Sequence, residues 1–302
     1  MNFADDITAC ILHSLPNAVI LPGKLLGKTL HLPDRNLLFH LLPIPPHPEP
    51  SAGFHPAYFQ EQSLAYASRG IQLVHLWQDV WTSRREIVRS RIAALLGCGA
   101  RIHARQTAVQ RISKDVASRF FTTNHLQGYV SARYHYGLHL GGKCVAAASF
   151  SAGRTILRDG LSGRSFELLR YAGLLNHRVT GGLGKLIARF ISDLRPADLM
   201  TYADLDWASG KSYRTLGFKQ TNLTPPQSFW VHPDAMLRYY PHRLPACLAQ
   251  AYDSQPHPRI LDDFLKSRGY IRIYNAGNLK YLLVTEHKPA TLPPPTVIMA
   301  EK

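Results

Sequence analysis

The residues best suited to chemistry form a glycine-rich turn, Val179-Thr180-Gly181-Gly182-Leu183-Gly184, directly before a helical pattern. Small residues in such a turn let backbone N–H groups point outward, and the dipole of the following helix favours negative charge at its N-terminus. The turn therefore predicts a site for a phosphate or diphosphate, and a flexible glycine-rich loop is the alternative. It lacks the Lys-Ser/Thr ending of a nucleotide P-loop. It also lacks the GxGxxG spacing of a dinucleotide-binding turn and the acidic residue expected about 20 positions later.

The stretch over residues 166–218 supplies the elements that would position this turn. FELLRYA predicts a strand, and residues 183–194 have the apolar spacing of an amphipathic helix packed on a sheet. Thr180 is expected to cap this helix, and Arg195-Pro196 to end it. LMTYAD then predicts a second strand and SYRTLGF a short helix.

The order of these elements resembles the GNAT acyltransferase fold over residues 113–231. Upstream, Gly141-Gly142 predicts the turn of a hairpin. In the GNAT family the glycine turn holds the diphosphate of acetyl-CoA, and the arm strand runs beside the pantetheine. The family's usual turn is Gln/Arg-x-x-Gly-x-Gly/Ala, and the turn after Arg178 carries one extra residue. The arm strand over 145–150 is equally consistent with a tightly packed core strand.

The resemblance implies an α/β (α+β) fold, with a GNAT-like mixed sheet and flanking helices, and acetyl-CoA or a related acyl-CoA as cofactor. The residues that it implies for binding this cofactor are Val145, Ala147, Arg178, Val179, Thr180, Gly181, Gly182 and Gly184.

The segments HLQGY, SFSAGR, ELLR and YADxxW also resemble phage Mom-type DNA-modification proteins, GNAT relatives that modify adenine. The catalytic residues that this resemblance implies are Ser149, Arg170, Tyr202, Asp204 and Tyr213. Asp204 would act as a base on an exocyclic amine or orient it, and Arg170 would hold a phosphate or carboxylate. Tyr202 or Tyr213 would donate a proton to a leaving thiolate. The alternatives are a structural salt bridge of Arg170 with Glu167 or Asp204, and a packing role for Tyr202.

The charge of the chain indicates a polyanionic partner. The formal net charge is +15, and residues 84–119 contain nine basic residues against two acidic ones. Such a concentration predicts a DNA-binding face, whose phosphate contacts would give affinity without sequence choice; a solvated basic face without a partner is the alternative. The residues expected to contact DNA are Arg84, Arg85, Arg89, Arg91, Arg101 and Arg105. Trp207 would stack a flipped base, or else serve in packing.

The N-terminal part has the pattern of a small α/β unit. Two strands are predicted around a turn at Pro33-Asp34, followed by a helix over 57–68, a strand in GIQLVHLW and a basic helix over 81–96. With GIQLVHLWQDVW followed by Ser90-Arg91-Ile92, this layout resembles nucleases of the very-short-patch-repair type in the PD-(D/E)XK superfamily. The resemblance extends to phage homing-endonuclease-like proteins.

Nucleases of that type hold a divalent metal with acidic residues and a nearby lysine. Here the aligned positions carry His31 and His40, and Gln62 falls near the lysine position. Because Mg²⁺ prefers oxygen ligands, the resemblance implies a degenerate nuclease domain that keeps contact with DNA. An intact site elsewhere would draw on the acids Asp34, Glu49, Glu61 and Asp79.

Other features exclude several classes of protein. Four scattered cysteines without a CxxC pair argue against a zinc ribbon or a disulfide scaffold and favour a reducing, cytoplasmic setting. The fifteen histidines lack metal-binding helical spacing, so no metal site is expected; Zn²⁺ or Fe²⁺ would be the alternative. No run approaches the ~18–20 apolar residues of a membrane span, and the acidic N-terminus does not read as a signal peptide.

The sequence thus predicts a nuclease-like DNA-binding domain over 1–97, a basic linker over 98–112, a GNAT-like acyltransferase domain over 113–288 and a disordered tail over 289–302. The predicted activity is acyl-CoA-dependent modification of an exocyclic amine in DNA. The alternatives are a non-catalytic DNA-binding, homing-associated protein and a GNAT enzyme that acetylates a protein or a small amine.

Overall fold

The computed structural model describes residues 2–23, 25, 27–47, 55–158, 161–255 and 260–285. Glu49 and the predicted tail over 289–302 lie outside the described residues. The elements of the first half are α1 (Phe3–Ser14), β1 (Lys28–Leu32), β2 (Leu37–Leu42), α2 (Tyr58–Ser68), β3 (Gln72–Trp77), α3 (Gln78–Ser83), α4 (Arg85–Leu95), β4 (Ala100–His103), β5 (Ala108–Arg111), α5 (Lys114–Asn124), β6 (Tyr134–Leu140) and β7 (Lys143–Phe150).

The elements of the second half are β8 (Arg154–Arg158), β9 (Leu161–Gly173), β10 (His177–Thr180), α6 (Gly182–Leu194), β11 (Asp198–Asp204), α7 (Lys211–Thr215), β12 (Lys219–Leu223), β13 (Ser228–His232), β14 (Leu237–Tyr239), α8 (Ala246–Asp253), α9 (Leu261–Ser267), β15 (Ile271–Tyr274) and β16 (Asn278–Val284).

A large mixed sheet organises the second part of the chain. Its strand order is β12-β16-β11-β9-β7-β6-β5, with β8 attached to β9. Along this path only β9 and β11 are parallel, and the other neighbours are antiparallel. The predicted mixed α/β fold with flanking helices is therefore confirmed.

Helices cover both faces of this sheet. On one face α6 buries Leu186, Ile187 and Phe190, and the Phe190 ring stacks on Phe150 with ring centroids 3.9 Å apart. On the other face α5 buries Phe121 against the small side chains of the arm strand and its neighbour. The stripe of apolar residues that predicted the amphipathic helix is the stripe that packs on the sheet.

The N-terminal unit consists of a three-stranded sheet, β1-β2-β3, packed with α1, α2, α3 and α4. The predicted strands and the helix over 57–68 are confirmed. The basic helix expected over 81–96 is instead two helices, broken at Arg84, whose backbone leaves helical geometry at φ −133° and ψ 34°. The break lets Trp81 and Val88 both reach the core of this unit.

The segment expected to be a basic linker contains two strands. β5 forms the edge of the large sheet beside β6, and β4 pairs in parallel with β10. Each strand has only four residues, so the alternation of apolar and polar residues is too short to predict a strand.

One hydrophobic core joins the N-terminal unit to the large sheet. Phe59 and Trp77 belong to the same buried cluster as Tyr136 and Phe229. The Gln60 side-chain amide donates hydrogen bonds of 2.9 Å to the carbonyls of both Thr224 and Ala276. The two predicted units therefore pack as one body. Within the described residues, no helix is long and apolar enough to cross a membrane.

Candidate functional site

The parallel strands β9 and β11 of the large sheet separate part-way along their length. β9 pairs with β11 over Ser165–Leu168 and Asp198–Thr201, and the pairing ends there. Beyond that point β9 continues beside β7 to Gly173, while β11 continues beside β16 to Asp204. An opening therefore lies between the C-terminal halves of β9 and β11, lined by one main-chain edge of each strand. We call it the gap.

The glycine-rich turn lies beyond the end of β9. Gly181, and not the predicted Thr180, is the N-cap of α6: it has φ 78° and provides no capping side chain, while Thr180 ends β10. Glycine takes this conformation without strain. A Cβ on Gly182 would lie 2.9 Å from Tyr171 Oη, so close packing also requires glycine there. The first turn of α6 is consequently left without a side-chain cap.

Arginines gather beside this turn. Arg178 of β10 lies opposite Arg101 of β4 in the strand register. A Cβ on Gly97 would lie 3.7 Å from Arg35 Nη1 and 3.9 Å from Arg178 Nη1, so two guanidinium groups approach one point. No carboxylate of the described residues pairs with these three arginines. The potential at the start of α6 is therefore positive.

Three of the polar residues near the gap form a row across β6, β7 and β9. Ser149 lies opposite both His135 and Arg170 in the strand registers. Its buried Oγ is 2.7 Å from His135 Nδ1. The Arg170 guanidinium donates to the carbonyls of Gly128, at 3.3 Å, and Leu169, at 2.8 Å.

Neither salt bridge considered for Arg170 is formed. Among the described residues, the carboxylates of Glu167 and Asp204 are more than 4.0 Å from its nitrogens. Glu167 nevertheless faces several cations: burial raises its pKa, and Arg170, Arg154 and Lys280 lower it. The pattern FELLR gave no sign that Glu167 belongs beside this site, because its only clue was one acid within an apolar strand.

Asp204 and Tyr213 each lie close enough to Arg91 for that arginine to lower their pKa. Asp204 Oδ1 accepts a hydrogen bond of 3.1 Å from the Asp206 amide. Burial raises the pKa of Asp204, while Arg91 and that amide lower it. The Tyr213 hydroxyl is 3.5 Å from Thr201 Oγ1, at the last paired residue of β11, and burial raises its pKa.

Tyr202 lies two residues before Asp204 on β11. It is 37% exposed, so the packing role considered for it is not observed. In the strand register it pairs with Lys280 of β16.

Trp207 and Arg91 do not lie where the sequence analysis placed them. Trp207 is only 4% exposed and belongs to the core of the N-terminal unit, so it has no free face on which a flipped base could stack. The Arg91 guanidinium lies 4.7 Å from the centroid of its ring. Arg91 is thus only partly exposed, because α4 turns this position towards the residues that follow β11. The prediction for Arg91 rested on the concentration of charge around it, and the prediction for Trp207 rested on residue type.

The remaining arginines expected to contact DNA are exposed: Arg84, Arg85, Arg89, Arg101 and Arg105. Arg85 forms an ion pair with Asp6, and Arg89 lies 3.5 Å from Glu86. The other three have no acidic partner among the described residues. A surface with unpaired positive charge therefore remains.

Of the positions aligned with nuclease ligands, His40 belongs to a buried polar network. His40 Nδ1 lies 3.1 Å from His75 Nδ1, and His75 Nε2 lies 2.9 Å from Ser63 Oγ. Burial lowers the pKa of His75 to about 3. Within the described residues, no group of three or more His, Cys, Asp or Glu side chains could hold a metal ion.

The acids considered for an intact nuclease site are dispersed. Asp34 is exposed, Glu61 lies 3.5 Å from His55, and the buried Asp79 pairs with Arg238. They do not converge on one point.

Comparisons with known proteins locate similarity only at the level of structure. No family model and no curated protein matches the sequence. The ribosomal-protein-S18-alanine N-acetyltransferase from Escherichia coli is 13% identical, with a TM-score of 0.36 over 62% of this chain and 99% of that one. A GNAT family acetyltransferase from Elizabethkingia anophelis with acetyl-CoA bound is 10% identical, with a TM-score of 0.32 over 60% and 99%.

Eis1 from Mycobacterium abscessus is 15% identical, with a TM-score of 0.33 over 42% of this chain, which spans only 34% of Eis1. The chain is therefore similar in part of its fold to acetyltransferases of known structure. TM-scores below 0.5 assign neither a family nor an activity, and the chemistry has to be judged from the gap and the glycine turn.

Proposed function

We propose that this protein transfers an acyl group from a coenzyme A thioester to an amine, and that the amine belongs to a base in DNA. The observation that carries the proposal is the gap between β9 and β11, with the uncapped, arginine-flanked N-terminus of α6 beyond its end. Both parts suit the same extended ligand.

The shape and polarity of coenzyme A match these features. The edge of β9 from Leu169 to Gly173 is about 16 Å long at about 3.3 Å per residue, and it can pair with an arm that carries amide groups. The amides of the first turn of α6 suit a diphosphate. Arg178 and Arg101 supply the positive charge that further phosphate oxygens require.

The residues at the gap suit amide formation. Bound coenzyme A would supply an acyl thioester. With that donor bound, Asp204 would take the proton from the amine as its nitrogen bonds to the acyl carbon, and Tyr213 would give a proton to the thiolate that leaves as the carbon–sulfur bond breaks. The raised pKa of Asp204 makes it a better base than an ordinary carboxylate, and the raised pKa of Tyr213 keeps its hydroxyl protonated. Arg170 borders the gap from β9, and Ser149 lies behind it on β7.

DNA is the acceptor that the charge favours. Two exposed arginines without acidic partners among the described residues, Arg84 and Arg105, lie outside the gap and are free to contact the phosphates of DNA. Binding through phosphates releases counterions, so the affinity for duplex DNA should fall steeply as salt rises. A salt-insensitive interaction would contradict the role given to these arginines.

The donor is tested by titration calorimetry with acetyl-CoA. We expect the wild-type protein to bind it and Arg178→Gln to weaken binding about tenfold or more, because a charge-assisted hydrogen bond contributes about 1.5–3 kcal/mol. Arg243→Gln, which removes an exposed arginine outside the gap, is the matched control and should leave the affinity unchanged. Failure of the folded wild-type protein to bind acetyl-CoA would refute the proposal.

The acceptor is tested by mass spectrometry of nucleosides in DNA from cells that express the protein, beside Asp204→Asn. A new adduct absent from the variant would support DNA modification, and its mass would identify the transferred group. Unmodified nucleosides together with acetyl-CoA binding would point to a protein or small amine as the acceptor. DNA binding without either result would leave a non-catalytic DNA-binding protein.

A further inference from the structure

Arg35 is a cation of the N-terminal unit to which the proposed reaction assigns no part. It ends the single helical turn Pro33–Arg35 that joins β1 to β2. The Asn36 amide donates a hydrogen bond of 3.0 Å to the Pro33 carbonyl, and the Gln72 amide donates one of 2.8 Å to the Asn36 carbonyl. The backbone on either side of Arg35 is therefore held in place, and its exposed side chain extends from a fixed position.

The guanidinium groups of Arg35 and Arg178 converge. Their Nη1 atoms lie 3.7 Å and 3.9 Å from the position that a Cβ on Gly97 would occupy, so the two nitrogens are no more than about 8 Å apart. Apart from the chain neighbours of Gly97, no other atom of the described residues lies within 4 Å of that position. A phosphate group that accepts one hydrogen bond of about 2.8 Å on each side would bridge such a distance.

The positive charge at this point is not neutralised. Arg101 lies opposite Arg178 in the register of β4 and β10, so its side chain leaves the same face of that pair. Among the described residues, no carboxylate lies within 4.0 Å of the three guanidinium groups, and Asp34, the acid next to Arg35 in the chain, forms no ion pair. Because like charges that converge repel each other, a bound anion would stabilise this arrangement.

The separation between these arginines and the glycine turn suits coenzyme A. Arg178 lies three residues before Gly181 in extended chain, so their Cα atoms are about 10 Å apart. β4 runs beside β10 in the same direction, and Ala104 after it would lie 3.6 Å from a Cβ on Gly181. In coenzyme A one ribose carries the diphosphate at C5′ and a phosphate monoester at C3′. With the diphosphate on the first turn of α6, the 3′-phosphate would come within reach of the arginine side chains.

We propose that Arg35 and Arg178, with Arg101 beside them, bind the 3′-phosphate of coenzyme A, so that the donor is a free coenzyme A thioester and not an acyl group on the phosphopantetheine arm of a carrier protein. The inference rests on the proposed function, because it presumes that the diphosphate of the donor lies at the glycine turn. A phosphate monoester carries a charge of about −1.5 to −2 at pH 7 and three terminal oxygens. Each phosphodiester of DNA carries a single negative charge, so the monoester suits converging arginines better. The N-terminal unit thereby contributes a residue to the donor specificity of the transferase site.

The test compares acetyl-CoA with its 3′-dephospho analogue, which differs only in the phosphate monoester. The affinity of each is measured by titration calorimetry. We expect the wild-type protein to bind acetyl-CoA about tenfold or more tightly than the analogue, because the analogue loses charge-assisted hydrogen bonds. Arg35→Gln should remove most of this preference by weakening the binding of acetyl-CoA alone. Arg35→Lys should retain part of the preference, since lysine keeps the charge without the planar fork of donors.

A matched control and a folding check accompany these variants. Arg243→Gln removes an exposed arginine outside the cluster and should keep the full preference. Far-UV circular dichroism with thermal melts establishes that each variant is folded. Because the wild-type comparison needs no variant, a folding defect in Arg35→Gln cannot obscure the result.

The outcomes separate this inference from the proposed function. Equal affinities of the wild-type protein for the two thioesters would overturn the inference and leave the proposed function intact. A preference that persists in full in Arg35→Gln would overturn the role of Arg35. If Arg35→Gln weakens binding to duplex DNA while the thioester preference stays unchanged, Arg35 contacts the DNA backbone and the inference is overturned. If the folded protein binds neither thioester, the proposed function fails as well.

Discussion

The ion pair between Asp79 and Arg238 should be the most consequential electrostatic contact for stability. Asp79 lies in α3 with 1% of its side chain exposed, and both of its carboxylate oxygens accept hydrogen bonds of 2.7 Å from the Arg238 fork in β14. The pair joins the N-terminal unit to the segment between β12 and β16. Removing Arg238 would leave a buried carboxylate without its cation.

The burial of Asp79 sets how much stability is lost when Arg238 is removed. Breaking a buried pair from one side costs about 3–5 kcal/mol, because the remaining charge is uncompensated. Arg238→Met keeps most of the side-chain volume that packs near Phe229, so little of the loss should come from packing. In Asp79→Leu/Arg238→Met both charges are gone, and we expect the double variant to recover most of the stability lost in Arg238→Met.

Urea unfolding, followed by circular dichroism and by tryptophan fluorescence, provides the measurement. Arg238→Met should lower the free energy of unfolding by about 3–5 kcal/mol, and Arg243→Met should leave it nearly unchanged. Both probes should report one transition, since the two units share a core. A loss below about 1 kcal/mol, or a double variant no more stable than Arg238→Met, would refute the reasoning.

Three further predictions concern chemistry, pH and backbone conformation. Tyr213→Phe should lower kcat for acyl transfer by about 100-fold or more with little change in KM for the thioester; a loss below about threefold would remove Tyr213 from proton transfer. Because the folded protein holds the pKa of His75 near 3, below its ordinary 6.5, the unfolded chain binds a proton that the folded state excludes. Neutral His75 therefore stabilises the folded protein fully above pH 6.5, and the free energy of unfolding should fall by about 2 kcal/mol by pH 5. His75→Gln should show a smaller loss between pH 7 and pH 5 in urea titrations, and an equal loss would contradict the assignment. Gly210→Ala should lower the melting temperature by several degrees, since Gly210 has φ 71° and a Cβ there would lie 1.9 Å from Tyr281 Oη; an unchanged melt would show that the tyrosine moves aside freely.

The spacing of apolar residues predicted the helices and strands in which that spacing is regular. It did not reveal contacts between distant segments of the chain. The helix α6 and the strands on either side of it were found because apolar spacing over 13 residues leaves little ambiguity. The helix cap was assigned to Thr180 because residue type favours threonine, whereas the backbone conformation observed at Gly181 favours glycine. Arg91 looked like one more cation in a basic run. Its partly buried position depends on Trp207, more than 100 residues later, and no periodicity of α4 encodes that contact.

The hydrogen bonds from Gln60 to Thr224 and Ala276 also bear on how the chain acquires its structure during synthesis. Residue 276 leaves the ribosome 216 residues after residue 60, and at 5–20 residues per second this takes about 10–40 s. For that interval the face of the N-terminal unit around Phe59 and Trp77 lacks the partners that residues 224–276 provide, and part of its aromatic surface stays exposed. The nascent chain should therefore engage holding chaperones until its last strands emerge.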